Sequence, residues 1–141
     1  MGTSVAASIE LVDGSGETRR AEVQGKCTWD GGHPTCELAL TSGDVSVRAS
    51  ASDYFDAFCL IREELEKIGL MPVCYGASRY VWPSGMCRDM GLGLKAYNRG
   101  IGERQSPPDL VGLFETGPDV APVSVPEQRA YAQAALAAFK R

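Results

Sequence analysis

The sequence has 141 residues, a length typical of one domain with a single hydrophobic core. Its hydrophobic content of 44% excludes a disordered chain, and its uncharged apolar runs are too short to cross a membrane. The net charge of −4 disfavours non-specific binding to nucleic acid or to anionic membranes, so we predict neither as a partner.

The N-terminal residues and the cysteines predict a cytoplasmic protein. The stretch MGTSVAASIELVDGSGE has neither a positively charged start nor a sustained apolar segment, so it does not indicate a secretion signal. The five cysteines are an odd number and show no CxxC spacing. This usage favours reduced thiols over a disulfide framework.

The first third of the chain predicts an antiparallel β-meander. Strands are expected over 4–12, 17–29, 36–40 and 45–49, where apolar and polar residues alternate. The connecting stretches DGSG, DGGHPT and SGD carry the glycine and aspartate residues that tight turns favour. Such short connections pair consecutive strands, and one face of the sheet stays exposed to solvent.

The period then changes to that of a helix. A helix is predicted from Ser52 or Asp53, either of which can cap it, to Gly69. Its apolar positions recur at spacings of three and four: Phe55, Phe58, Ile61, Leu65 and Ile68. The run IREELEK predicts a solvated face with arginine–glutamate and glutamate–lysine pairs.

Further strands and a second helix complete the predicted fold. Strands are expected over 70–77, 94–98 and 109–114, with polar loops over 99–109 and 115–123. Ser124 and Glu127 have the spacing of a capping box, which predicts a helix over 125–139. We expect a single α+β domain over 1–141. It has an N-terminal antiparallel β-meander, an amphipathic helix, further strands and a C-terminal helix packed on one face of the sheet.

A zinc site is one interpretation of the second turn. Cys27, His33 and Cys36 offer two thiolates and an imidazole, which are zinc ligands. Their C-x5-H-x2-C spacing matches no zinc finger, and a structural site normally closes four ligands. The simpler interpretation is a histidine at a hairpin tip between two strands with cysteines, so we predict no metal and no cofactor.

The residues that could carry catalysis lack partners in the sequence. Cys87 stands beside Arg88, which could favour the thiolate, but the only histidine, His33, is distant in the chain. The string WPSGM departs from a GxSxG elbow, and GLG at 91–93 lacks the third glycine of a GxGxxG loop. We assign no catalytic residue and favour a protein that is not an enzyme.

The densest group of interaction-type residues lies in RYVWPSGMCRDM (79–90) and just after it. Arginine, tyrosine and tryptophan, which dominate binding hot spots, surround a Pro-Ser-Gly turn here. The predicted binding residues are Arg79, Tyr80, Trp82, Ser84, Arg88, Asp89, Lys95 and Tyr97. An alternative places Trp82, Met86 and Met90 in the core and makes Arg88–Asp89 a salt bridge that holds the loop.

This segment resembles one in small uncharacterised bacterial proteins. The strings WPSGM, RDMG and LKAY carry the resemblance, which extends over about residues 52–139. It implies a bacterial domain that stands alone. It implies no activity and no site residue.

Three functions fit these observations, and we favour the first. This is a non-catalytic domain that binds another protein, of the toxin-immunity or inhibitor type, with an acidic helix face steering it to a basic partner. That face consists of Glu63, Glu64 and Glu66. The alternative is a small enzyme or ligand-binding domain in which Arg79, Arg88 and Lys95 hold an anionic small molecule. Nucleic-acid binding through arginine and aromatic stacking is disfavoured by the net charge of −4.

Overall fold

The structure, a computed structural model, describes residues 3–99 and 109–139, with side chains over 4–99 and 109–137. This part of the chain forms an α+β fold, as predicted. The strands are β1 (Thr3–Val12), β2 (Thr18–Asp30), β3 (His33–Ser42), β4 (Val45–Ala51), β5 (Met71–Val73), β6 (Val81–Trp82), β7 (Lys95–Asn98) and β8 (Asp109–Gly112). The helices are α1 (Tyr54–Lys67), α2 (Gly85–Gly91) and α3 (Val125–Phe139), and a 3-10 turn covers Tyr75–Ala77. None of the helices in the described ranges is long and apolar enough to cross a membrane.

The predicted meander supplies four strands of a five-stranded antiparallel sheet with the order β4-β3-β2-β1-β5. The turn between β2 and β3 is shorter than predicted, because Asp30 pairs with His33 and leaves Gly31 and Gly32 as the loop. Both glycines have positive φ, 58° and 88°, as a type I′ hairpin turn requires. β3 therefore begins at His33 and not at Cys36.

The core lies between one face of this sheet and α1. The sheet contributes the buried residues Leu11, Val23, Leu38 and Leu40. α1 contributes four of its five predicted apolar positions, Phe55, Phe58, Ile61 and Leu65. The prediction is wrong for Ile68, which is 56% exposed. The helix ends at Lys67, so Ile68 is its C-cap, outside the helix and directly before Gly69 (φ 76°).

Both long helices begin as their capping residues predict. Asp53 is the N-cap of α1, and its Oδ1 accepts a hydrogen bond from the Asp56 N–H at 2.7 Å. Before α3, the Glu127 N–H donates to Ser124 Oγ at 3.3 Å, and the Ser124 N–H donates to Glu127 Oε1 at 3.4 Å. The capping box is thus confirmed.

The later strands divide between two sheets. β5 joins the edge of the first sheet, whereas β6, β7 and β8 form a second, three-stranded sheet in the order β6-β7-β8. The predicted strand over 70–77 ends at Val73, because the chain turns into the 3-10 segment at Tyr75–Ala77. Most of the loop predicted over 99–109 lies outside the described residues.

The solvated face predicted from IREELEK is wrong for Arg62, which is 1% exposed. Its Nη1 donates to the Gly76 carbonyl at 3.1 Å and to Gln128 Oε1 at 2.6 Å. Its Nη2 donates to the Val123 carbonyl at 2.9 Å. Burial lowers the pKa of Arg62. These acceptors replace part of the water that a buried guanidinium loses.

Gln128 extends this network into the second sheet. Its side-chain amide donates to the carbonyls of Gly76, Ser78 and Val81 at 3.1, 2.9 and 2.9 Å. Gln128 itself is fully buried at the start of α3. The Arg62–Gln128 network therefore joins α1, the 3-10 turn, β6 and α3.

The three predicted acidic residues of α1 have different environments. Glu64 pairs with Lys67 at 2.7 Å, as the sequence predicts for this face. Glu66 Oε1 accepts a hydrogen bond from the Val125 N–H at 3.0 Å and so holds the start of α3. Glu63 is exposed. The acidic face is thus smaller than predicted, because Glu66 has an internal partner.

Replacing Arg62 with alanine should lower the free energy of unfolding by about 2–4 kcal/mol, because it leaves buried acceptors unpaired and opens a cavity. Urea denaturation followed by circular dichroism measures this. Arg20 is the matched control: its side chain is 73% exposed and pairs with Glu22 on the surface. Arg20→Ala should change stability by less than about 0.5 kcal/mol. Equal effects of the two variants would contradict the structural role of Arg62.

Candidate functional site

The segment 79–90 places the short helix α2 against the N-terminus of α1. Ser84 is the N-cap of α2, and its Oγ accepts a hydrogen bond from the Cys87 N–H at 3.1 Å. At the other end, the Leu92 carbonyl accepts a hydrogen bond from the Tyr54 N–H at 2.7 Å. A Cβ on Gly93 (φ 72°) would lie 2.9 Å from the Phe55 nitrogen, so glycine permits this close approach.

Arg88 links α2 to α1 through two carboxylates. Its Nη1 donates to Asp53 Oδ2 at 2.9 Å and to Asp56 Oδ1 at 2.8 Å. The Arg88 side chain is 25% exposed and that of Asp53 is 6% exposed, so the pair is largely shielded from water. Burial acts to lower the pKa of Arg88, but the hydrogen bonds and charges of Asp56 and Asp53 outweigh it and raise that pKa.

Two aromatic rings complete the surroundings of Arg88. Its guanidinium carbon lies 5.3 Å from the centroid of Phe55 and 5.8 Å from that of Trp82, within the range of cation–π contacts. The two rings pack edge to face with their centroids 5.1 Å apart. Arg88 therefore contributes to the packing of α2 on the rest of the protein.

The alternative interpretation of this segment is only partly correct. Arg88 does form a structural ion pair, but with Asp53 and Asp56 and not with the neighbouring Asp89, which is exposed. Met86 and Met90 are 71% and 82% exposed, so placing them in the core is wrong. Their helix has seven residues, and none of them is buried.

A surface cleft of about 490 Å³ opens beside α2. Three structural elements line it: the β2–β3 hairpin, the start of α1, and α2. The lining residues are Trp29, Gly32, Pro34, Ser52, Asp53, Asp56, Arg88 and Asp89. Three carboxylates and one guanidinium thus border the cleft, and Trp29 on the hairpin is 48% exposed.

The structure separates the other predicted binding residues into two groups. Arg79 and Tyr80 face α3: Arg79 Nη2 lies 3.6 Å from Glu127 Oε2, and the Tyr80 ring packs edge to face on Tyr131 at 5.2 Å. Tyr97 lies directly opposite Trp82 in the second sheet, and the exposed Lys95 precedes it by two positions on β7. Trp82 and Arg88 are thus brought together, whereas Arg79 contacts a different helix.

Several residues of the cleft were not predicted as site residues. Asp53 was recognised as a helix cap, but the sequence did not indicate that its second oxygen binds Arg88. Trp29 lies in β2, as predicted for the strand over 17–29, but the sequence did not indicate that it is exposed. Asp56 carried no signal beyond its position in the first turn of α1.

The three residues considered as zinc ligands do not converge. Cys27 and Cys36 are opposite each other in the sheet, and both are fully buried on its core side. His33 is exposed and lies an odd number of positions from Cys36 on β3, so its side chain is on the other face. Burial raises the pKa of Cys36 to about 12. Within the described ranges, no group of three potential metal ligands occurs.

No protein-family model and no curated protein matches this chain. The resemblance to small bacterial proteins stays a prediction. The function must therefore be argued from the surfaces of the molecule.

Arg88→Ala should lower the free energy of unfolding by about 1–3 kcal/mol, because the largely buried Asp53 loses its cation. Lys95→Ala is a matched control, since it also removes a cation from this region but from an exposed position. Chemical denaturation of both variants measures the difference. A stability of Arg88→Ala equal to that of Lys95→Ala would show that the ion pairs contribute little.

Proposed function

We propose that this protein is a non-catalytic domain that binds another protein through the surface around α2. The observation that carries the proposal is the exposure of Trp29, Met86 and Met90. Trp29 borders the cleft, and the two methionines belong to the helix that forms its other side. Tryptophan and methionine are enriched at the centres of protein interfaces, and methionine adapts its shape to a partner.

The charges of this surface favour a basic partner. Asp53, Asp56 and Asp89 line the cleft, and its one lining cation, Arg88, is already paired with Asp53 and Asp56. Acidic groups around an apolar centre accelerate association with a positively charged protein and select against acidic competitors. This arrangement supports a domain of the toxin-immunity or inhibitor type, for which a bacterial cytoplasm is the setting that the sequence predicts.

The same ion pairs weigh against the alternative of an anionic ligand. A phosphate or carboxylate at Arg88 would compete with Asp53 and Asp56, which already use its Nη1. Arg79, the second predicted anchor, is next to Glu127 on α3. An anionic ligand would thus enter a site bordered by more carboxylates than cations, which raises its electrostatic cost.

Met86→Ser/Met90→Ser should weaken partner binding at least about tenfold, because it removes two exposed apolar contacts from the centre of the proposed surface. The partner is first captured from a lysate of the source organism with the wild-type chain. Isothermal titration with the purified partner then gives the dissociation constant of each variant. Circular dichroism should report an unchanged fold, since neither methionine is buried.

Leu60→Ser/Ile68→Ser is the matched control, because these α1 side chains are also exposed, at 44% and 56%. It should bind the partner as well as wild type does. Asp89→Asn should slow association at low salt with little effect at high salt. A partner bound equally well by both double variants would contradict the proposed surface, and a wild-type chain that captures no protein would contradict the function.

A further inference from the structure

The two edges of the five-stranded sheet differ in how well they are protected against pairing with a further strand. β5 has three residues and contains Pro72, and both features discourage further pairing. β4, at the other edge, has seven residues, VSVRASA, with no proline and with Arg48 as its one charged residue. In residues 3–99 and 109–139, no strand pairs with its outer side. Such an edge is a template for another strand.

The hairpin before β4 determines which backbone groups face this open edge. Ser42 pairs with Val45, so the loop consists of Gly43 and Asp44, and Gly43 has a φ of 59°. The pair that closes a two-residue hairpin loop is hydrogen-bonded, and alternate residues follow the same pattern. Val45, Val47 and Ala49 therefore bond to β3. The N–H and C=O groups of Ser46 and Arg48 point to the open edge.

The side chains leave space for a neighbouring strand. On the core side, Val45 and Val47 are only half-buried, whereas Leu38 and Leu40 on the adjacent β3 are fully buried. The two valines pack against β3 on one side, and their other side faces the free edge of the sheet. A strand that adds to β4 would cover their free flank.

Residues 44–48, Asp-Val-Ser-Val-Arg, have a charge pattern that complements itself in the antiparallel direction. We propose that β4 pairs with β4 of a second copy of this chain, related by a two-fold axis at Ser46. Each Val45 then lies opposite the second copy's Val47, and each Asp44, the loop residue that directly precedes β4, comes next to the second copy's Arg48. Opposite charges on neighbouring strands attract each other, and β-branched side chains pack well on the pleated surface of a sheet.

Neighbouring registers lack this complementarity. An axis at Val47 places Arg48 opposite Ser46, and an axis at Arg48 places the two arginines opposite each other. Like charges at facing positions destabilise the pairing. The Ser46 register is therefore the one that the charges select.

Both charged groups are available for such a contact. The Asp44 side chain is 97% exposed, and among the described residues it pairs with Arg19 at a separation of 3.9 Å. A pair that is so long and so exposed contributes little and can be exchanged. Arg48 has no ion pair with any residue that the structure describes. The inference goes beyond the proposed partner binding and does not depend on it.

Sedimentation velocity of the full chain tests the dimer, at low salt and from about 10 μM to about 1 mM, where small interfaces dissociate. Wild type should change from monomer to dimer over this range. Asp44→Arg and Arg48→Asp should each weaken the dimer at least about tenfold. Each substitution is present in both copies, so it places two like charges together at both symmetry-related contacts. An equimolar mixture of the two variants should restore it, as should the double exchange within one chain.

Ser46→Pro should abolish the dimer while it preserves the fold, because the lost N–H faces the open edge and not β3. Glu10→Arg, on the exposed face of β1, is a control that should leave the dimer unchanged. A wild-type chain that stays monomeric at the highest concentration would overturn the proposal. A dimer that survives either single charge reversal, or that the mixture fails to restore, would overturn it equally.

Discussion

The buried guanidinium of Arg62 is the constraint on which the second half of the fold depends. A charged group removed from water needs hydrogen-bond acceptors in fixed positions. Here the 3-10 turn and the segment before α3 supply backbone carbonyls, and Gln128 supplies its side-chain oxygen. Because the Gln128 amide in turn binds the Val81 carbonyl, the start of β6 is fixed relative to α1. The position of α2, which follows β6, depends on this connection.

Arg88 repeats this arrangement nearer the surface. It joins the first turn of α1 to α2 by two hydrogen bonds and by contacts with two rings. Two arginines thus hold elements together: Arg62, for which the sequence predicted a solvated position, and Arg88, for which it left a structural ion pair as an alternative. Their use inside the protein leaves the outside of α2 with methionines and a carboxylate. The proposal of a basic, partly apolar partner rests on these exposed side chains.

The two proposed contact surfaces rely on different chemistry. Around α2, recognition depends on side chains, so shape and charge select the partner. At β4, the backbone supplies hydrogen bonds that any extended strand could use, and the side chains at positions 44–48 supply the selectivity. The opposite edge of the sheet is short and contains proline. Within the described part of the chain, this sheet thus has one edge that is protected against further pairing and one that is open to it.

The sequence alone determined the features that depend on neighbouring residues in the chain. Alternation predicted the meander, the three-and-four spacing predicted the core side of α1, and Asp53, Ser124 and Glu127 predicted where two helices begin. Tertiary structure decided the separation into two sheets, the burial of Arg62 and the exposure of Met86. The physical reason is distance along the chain: Arg62 meets Gln128 66 residues away, and Arg88 meets Asp53 35 residues away. A local pattern reports how a side chain is placed on its own element, but the partner of a charge is set by how distant elements pack.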